Sequence, residues 1–226
     1  NRAEKFGIAS APASGPALQF LARASYVEAV AWIGACLADA LYPVVGSDNA
    51  QGGYLATQHL IHQGCRRIAF FGDISHPEAN LRYQGYARAM QEAGIALDPR
   101  LQQYFLFGET RIRETIDQWL SHALGFDAIF ATGDVTAISL MGALSERGIA
   151  VPGQVRLVGY DDIALAAHVH PALTTVRLPA EEIGETAVDL LMERAAGRQI
   201  GKRVTLACQP IWRGSTRKSR EKKLPK

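Results

Sequence analysis

The chain has 226 residues, 48% of them hydrophobic and 20% charged, with a formal net charge of +2. That is enough for one large α/β domain or two smaller lobes with sizeable cores. No apolar stretch approaches the ~18 residues of a membrane span, and the opening NRAEKFGIASAP lacks the apolar core and cleavage site of a secretory signal.

Phe6 to Ser10 is a short apolar strand candidate, followed by a Pro/Gly/Ser turn at residues 11–16 and a helix candidate from Ala17 to Ala24. Val27 to Ile33 and Val44 to Ser47 are the next extended pieces. Ala50 to His62 carries Tyr54, Leu55, Leu60 and Ile61 on a helical stripe that Gly64 stops. Arg67 to Phe71 is an apolar strand, Leu81 to Ala93 a helix ended by Gly94, Gln103 to Phe107 a strand and Glu109 to His122 a helix. Ala128 to Ala131 and Val155 to Gly159 are strands around a helix from Val135 to Arg147. Thr174 to Arg177 is extended, Ala180 to Ala196 is a long helix, and Arg203 to Ala207 and Pro210 to Arg213 are two closing strands. Strands alternating with helices predict a mostly parallel sheet covered on both faces.

The net charge hides an asymmetry. The tail at 217–226, RKSREKKLPK, has six basic residues and one acidic, so removing its +5 leaves the body at −3. A mildly acidic body gives no electrostatic footprint for DNA, and the tail reads as a solvated end. Cys36, Cys65 and Cys208 are odd in number and far apart, which argues for reduced cytoplasmic thiols over a disulfide framework or a zinc site. A start without Met suggests a trimmed chain.

The sequence has no GxSxG, HExxH or Walker A motif, so no enzyme is expected, and no metal or cofactor. His168 and His170 read as loop packing beside Pro171. What remains is binding chemistry. Asp134 follows strand 128–131 and precedes a helix; it is either an N-cap or a ligand contact. Asp161 ends strand 155–159 and is either a turn residue or an acceptor for two ligand hydroxyls. Arg82, early in its helix, opposes the helix dipole, so it serves either a ligand or an ion pair with Asp161 or Glu78. Phe107 is a core aromatic or a cavity wall.

Several segments resemble the LacI/GalR family of bacterial transcriptional regulators. VVGSDNAQGGYLATQHLIHQGCRRIAFFGD is similar to the family's crossover into its C-terminal subdomain. LRYQGYARAMQEAGI, AIFATGDVTAISLMGALSERGIAVPGQVRLVGYDD, HPALTTVRLPAEEIGETAVDLLMERAAG and WRGST follow in the family's order. The resemblance covers Val44 to Thr216. It implies a periplasmic-binding-protein-like α/β fold with two doubly wound parallel-sheet lobes and three crossovers. Residues 1–46 with 178–205 would form an incomplete N-terminal lobe, 47–177 with 206–216 the C-terminal lobe, and 217–226 a basic tail.

The resemblance further implies that Arg82 and Asp161 contact a small-molecule effector, a sugar or sugar-like molecule, with Phe107 near an aromatic wall and Asp134 at an acidic strand-end position. Gly133 stands where the family usually has Asn, and Gly34 where sugar-responsive members often carry an acid. The implied mechanism is effector-biased lobe closure in a cytoplasmic homodimer, altering operator binding by a helix-turn-helix headpiece absent from these 226 residues. A sugar-binding protein of a transport system shares the fold and is the alternative.

Overall fold

In a computed structural model, the structure describes residues 8–10, 31–33, 44–104, 109–198, 201 and 203–217. The chain divides into two units, residues 1–48 with 179–208 and residues 49–178 with 209–226, and passes between them three times. Among the described residues no helix is long and apolar enough to cross a membrane.

The first unit holds β1 (Ile8–Ser10), β2 (Ala31–Ile33) and β3 (Val44–Ser47), with β9 (Arg203–Leu206) arriving late in the chain. They form one parallel sheet in the order β1-β2-β3-β9. Helix α5 (Ala180–Ala195) lays Ile183, Ala187 and Leu191 on Val45, with Val204 and Leu206 alongside. Those three helix positions recur at i, i+4 and i+8, the stripe that an amphipathic helix turns to its sheet.

The second unit begins with α1 (Asn49–His62), then β4 (Ile68–Phe71), α2 (Pro77–Glu92), β5 (Gln102–Gln103), α3 (Glu109–Ser121), β6 (Ala128–Ala131), α4 (Asp134–Glu146), β7 (Arg156–Val158) and β8 (Thr175–Arg177). Its parallel sheet runs β5-β4-β6-β7, while β8 pairs antiparallel with β10 (Gln209–Ile211). Every residue of β4 and β6 is buried, as a sheet covered on both faces requires. Ala69, Phe71, Ile129 and Ala131 join Ile116, Trp119, Leu140 and Leu144 in a core shared with α3 and α4. The alternate residue Phe70 meets Phe130, Tyr83 and Tyr86, on the side of α2.

Two expectations need correction. Helix α2 starts at Pro77, four residues before Leu81, because Pro fits the first helical position, where no N–H partner is needed. Arg82 therefore lies in the second turn, not at the dipole's positive end. The strand expected at 103–107 is described only as Gln102–Gln103, and 105–108, with Phe107, lie outside the described residues.

Helices α1 and α2 touch backbone to backbone. A Cβ at Gly53 would come 2.1 Å from the Arg82 carbonyl oxygen, and one at Gly85 would come 2.0 Å from that of Ala50. Only glycine fits either position, and the contact fixes where Arg82 leaves its helix.

The end of the described chain is stitched into the second unit. A 3-10 turn at Gly214–Thr216 places Ser215 Oγ to donate to the Leu157 carbonyl at 2.6 Å and to accept the Thr174 N–H at 2.8 Å. Thr216 Oγ1 lies 2.9 Å from Thr174 Oγ1. Both Ser215 and Thr216 are fully buried, so these bonds satisfy groups that have no access to solvent.

Candidate functional site

A cavity of about 370 Å³ opens at the carboxyl ends of β4, β6 and β7, where open α/β sheets place their ligands. The segment after β4 contributes Asp73 and the α2 cap residue His76; Glu78 and Ala79 follow in the first turn of α2 and Arg82 in its second. Thr132, Gly133 and Val135 come from the end of β6 and the start of α4, and Asp161 from the end of β7. All belong to the second unit.

Arg82 is held from several directions. Its Nε donates to Asn49 Oδ1 at 2.7 Å, one terminal nitrogen donates to the Thr132 carbonyl at 2.5 Å, and the same nitrogen lies 3.5 Å from Asp161 Oδ1. The guanidinium stacks over the Tyr160 ring at 3.7 Å, an arrangement that a planar, delocalised cation favours. Of the two expected ion-pair partners, Asp161 is the one the structure brings to Arg82.

Asp161 and Asp162 are consecutive, and both have positive φ, 106° and 56°, which sends their side chains to different destinations. Asp161 reaches the cavity. Burial pushes its carboxyl up to about 6, with Arg82 opposing the shift and Asp134 adding to it. Asp162 turns inward. Arg213 donates to its Oδ1 and Arg177 to its Oδ2, each at 2.6 Å, with only 5% of the side chain exposed. Burial raises the Asp162 carboxyl, but the two arginine bonds outweigh it and hold it below the usual carboxylate range.

Asp134 does not line the cavity. It is the first residue of α4, Gly133 holds the cap position, and its carboxylate points into the protein. Oδ1 accepts from Thr175 Oγ1 at 2.6 Å and Oδ2 from the Ile163 N–H at 2.9 Å, while its own N–H donates to the Tyr160 carbonyl at 2.7 Å. Asp134 thus grips the 160–163 turn from both sides and sets where Asp161 stands. Burial raises its carboxyl, against the Thr175 and Ile163 hydrogen bonds.

A model of the periplasmic binding protein-like domain matches residues 57–216. The HTH-type transcriptional regulator GalR of Escherichia coli (strain K12) is 35% identical over 157 residues, covering 69% of this chain and 46% of that protein. The ribose operon repressor of the same strain is 37% identical over 155 residues, covering 67% of this chain and 46% of the repressor. The solved structure of a complex between the transcriptional regulator CelR and cellobiose aligns with a TM-score of 0.75 at 32% identity, over 82% of this chain and 58% of that one. The chain belongs to the LacI/GalR family. It is an effector-binding domain of that family, with the expected α/β fold. The curated relatives it matches are transcriptional regulators, not enzymes, and the chain spans about half their length.

Within this LacI/GalR domain, the structure brings Arg82 and Asp161 together and turns Asp134 to support them. Asp73 and His76 do not stand out as site residues in the sequence, and Glu78 enters there only as an ion-pair partner for Arg82, because HPEAN looks like a loop when the helix is started at Leu81. The signal was present: an apolar strand ending in Gly72-Asp73, followed by Pro and Glu in a first helical turn. Thr132 contributes through its carbonyl, which no sequence pattern reports.

Proposed function

We propose that the cavity binds a small polyhydroxylated effector, sugar or sugar-like, and that the complete regulator converts this binding into a change in operator affinity. The observation that carries the reading is the Arg82–Asp161 wall. A carboxylate whose pKa is pushed up to about 6, reaching a cavity beside a rigidly held guanidinium, costs free energy while empty. Two ligand hydroxyls donating to Asp161 would offset that cost, and hydrogen bonds to charged groups are the stronger kind. The likeness to a regulator solved with cellobiose supports a carbohydrate.

Operator binding would be carried by a helix-turn-helix headpiece outside these 226 residues, in a homodimer whose symmetry matches a palindromic site. Effector and operator then change one another's affinity by the same factor.

The test is a calorimetric titration of the 226-residue chain with neutral mono- and disaccharides, cellobiose among them. One of them binds, and Asp161→Asn weakens that binding by at least about tenfold through loss of a charged acceptor. Undiminished affinity in Asp161→Asn overturns the site.

A further inference from the structure

The cavity has a second polar group of residues, at the connection from β4 to α2. Asp73 Oδ1 accepts from the Ser75 N–H at 3.0 Å and from Ser75 Oγ at 2.6 Å. The Ser75 bonds hold its carboxyl below the usual range, so it stays ionised. Its other oxygen, Oδ2, is buried and finds no hydrogen-bond donor among the described residues. The side chain is nine-tenths buried, and the His76 Nε2 stands 3.9 Å from Oδ2 on a ring that is 43% exposed. An ionised carboxylate oxygen accepts hydrogen bonds and donates none, so what the site lacks is a donor. Oδ2 is enclosed, so a ligand group supplies that donor by displacing the exposed His76 ring that stands over it.

Charge points the same way. The N-terminus of a helix such as α2 ordinarily attracts anions. Here Glu78 occupies its first turn, and Asp73 and Asp161 line the same cavity. Three carboxylates face one guanidinium, and that guanidinium is already bonded to Asn49, Thr132 and Asp161 and stacked on Tyr160. A phosphate or carboxylate on the ligand would meet net repulsion in a partly desolvated space.

We infer that Asp73, His76 and Glu78 form a donor-accepting subsite, so that the effector is a polyhydroxylated molecule that is neutral or bears an ammonium group, and that phosphorylated and carboxylated analogues are excluded. The inference rests on the effector site proposed above and adds the charge class of its ligand.

The experiment titrates the 226-residue chain with matched sets: glucose, glucosamine and glucose 6-phosphate; ribose and ribose 5-phosphate; and cellobiose. Val135→Trp serves as the block, since Val135 lines the cavity and is 62% exposed, so the larger ring fills the opening without entering the core. The expected result is a neutral or amino sugar that binds and is lost in Val135→Trp, with its phosphorylated counterpart weaker by at least about 30-fold. Glu78→Gln narrows that gap, and so does Asp73→Asn. Glu78→Gln leaves the Ser75 bonds to Asp73 in place, so it decides the matter if Asp73→Asn does not fold.

A sugar phosphate that binds as tightly as its neutral partner, and is lost in Val135→Trp, overturns the charge assignment while the cavity remains the effector site. Binding that Val135→Trp leaves untouched overturns the cavity reading and this inference with it. Inorganic phosphate is the probe that needs no matching sugar. At about 10 mM it leaves the wild-type Tm unchanged if it does not bind the folded state. A saturable rise in Tm, abolished by Val135→Trp, overturns the inference.

Discussion

Asp161 and Asp162 are the same amino acid one position apart, and they do opposite things. Asp162 is buried between Arg213 and Arg177, and its negative charge helps hold the fold together. Asp161 reaches the cavity, and its negative charge works against the empty fold. Chemistry at this turn is therefore assigned by backbone direction rather than by residue type. The structural carboxylate has its partners within the protein, whereas the one at the cavity wall has its charge only partly compensated.

The largest expected effect comes from breaking the structural half of the pair. Asp162→Ala leaves the Arg213 charge without its 2.6 Å partner and should cost about 4 kcal/mol, in the range for breaking a buried ion pair. Urea denaturation checks this, and an unchanged midpoint would show that the two arginines are held by something else.

A somewhat smaller loss should follow from disturbing the other half at a distance. Gly85→Ala forces a Cβ against the Ala50 carbonyl and should destabilise by about 3 kcal/mol through overpacking. Because the same helix contact aims Arg82, this variant should also weaken effector binding, while Asp162→Ala that remains folded should bind almost normally. Equal binding losses in the two would erase the distinction between the neighbouring aspartates.

The smallest effect has the more telling sign. The Asp161 pKa is raised in the folded protein, so its contribution to stability is fully present below about 3.8 and is lost as pH rises through about 6. Asp161→Asn should remove that loss and stabilise the empty protein at pH 7.5 by about 1 kcal/mol, the full shift being discounted for the side chain's partial exposure. Asp162 has the opposite linkage: its contribution is present above the unfolded carboxyl pKa and is lost as pH falls through its lowered folded value. Thermal melts from pH 4 to pH 8 on wild type and Asp161→Asn compare the two directly. A variant less stable than wild type at pH 7.5 would contradict the assignment.

Much of this was readable from the chain. The apolar runs at 68–71 and 128–131 and the glycine stops at Gly64 and Gly94 located elements closely, because buried parallel strands and left-handed helix ends leave strong local marks. Arg82 and Asp161 were legible as a possible ion pair. The role of Asp134 was not, since its Thr175 partner is 41 residues away and only the fold brings them together. Nor could alternation separate Asp161 from Asp162, because two successive positive φ values suspend the alternation that assigns strand residues to faces. The subsite around Asp73 was hidden by a helix start placed four residues too late.

The 3-10 turn at Gly214–Thr216 has a consequence for how the molecule is made. Synthesis runs from the amino end, yet Ser215 closes on Leu157 and Ala172, and β10 pairs with β8, only after residues 179–208 have been laid down in the other unit. The second unit is therefore discontinuous in sequence, and its seam can close only with a segment that follows residues 179–208. Residues 49–178 alone would hold the β5-β4-β6-β7 sheet and lack both the β10 partner of β8 and the Ser215 and Thr216 bonds to Thr174.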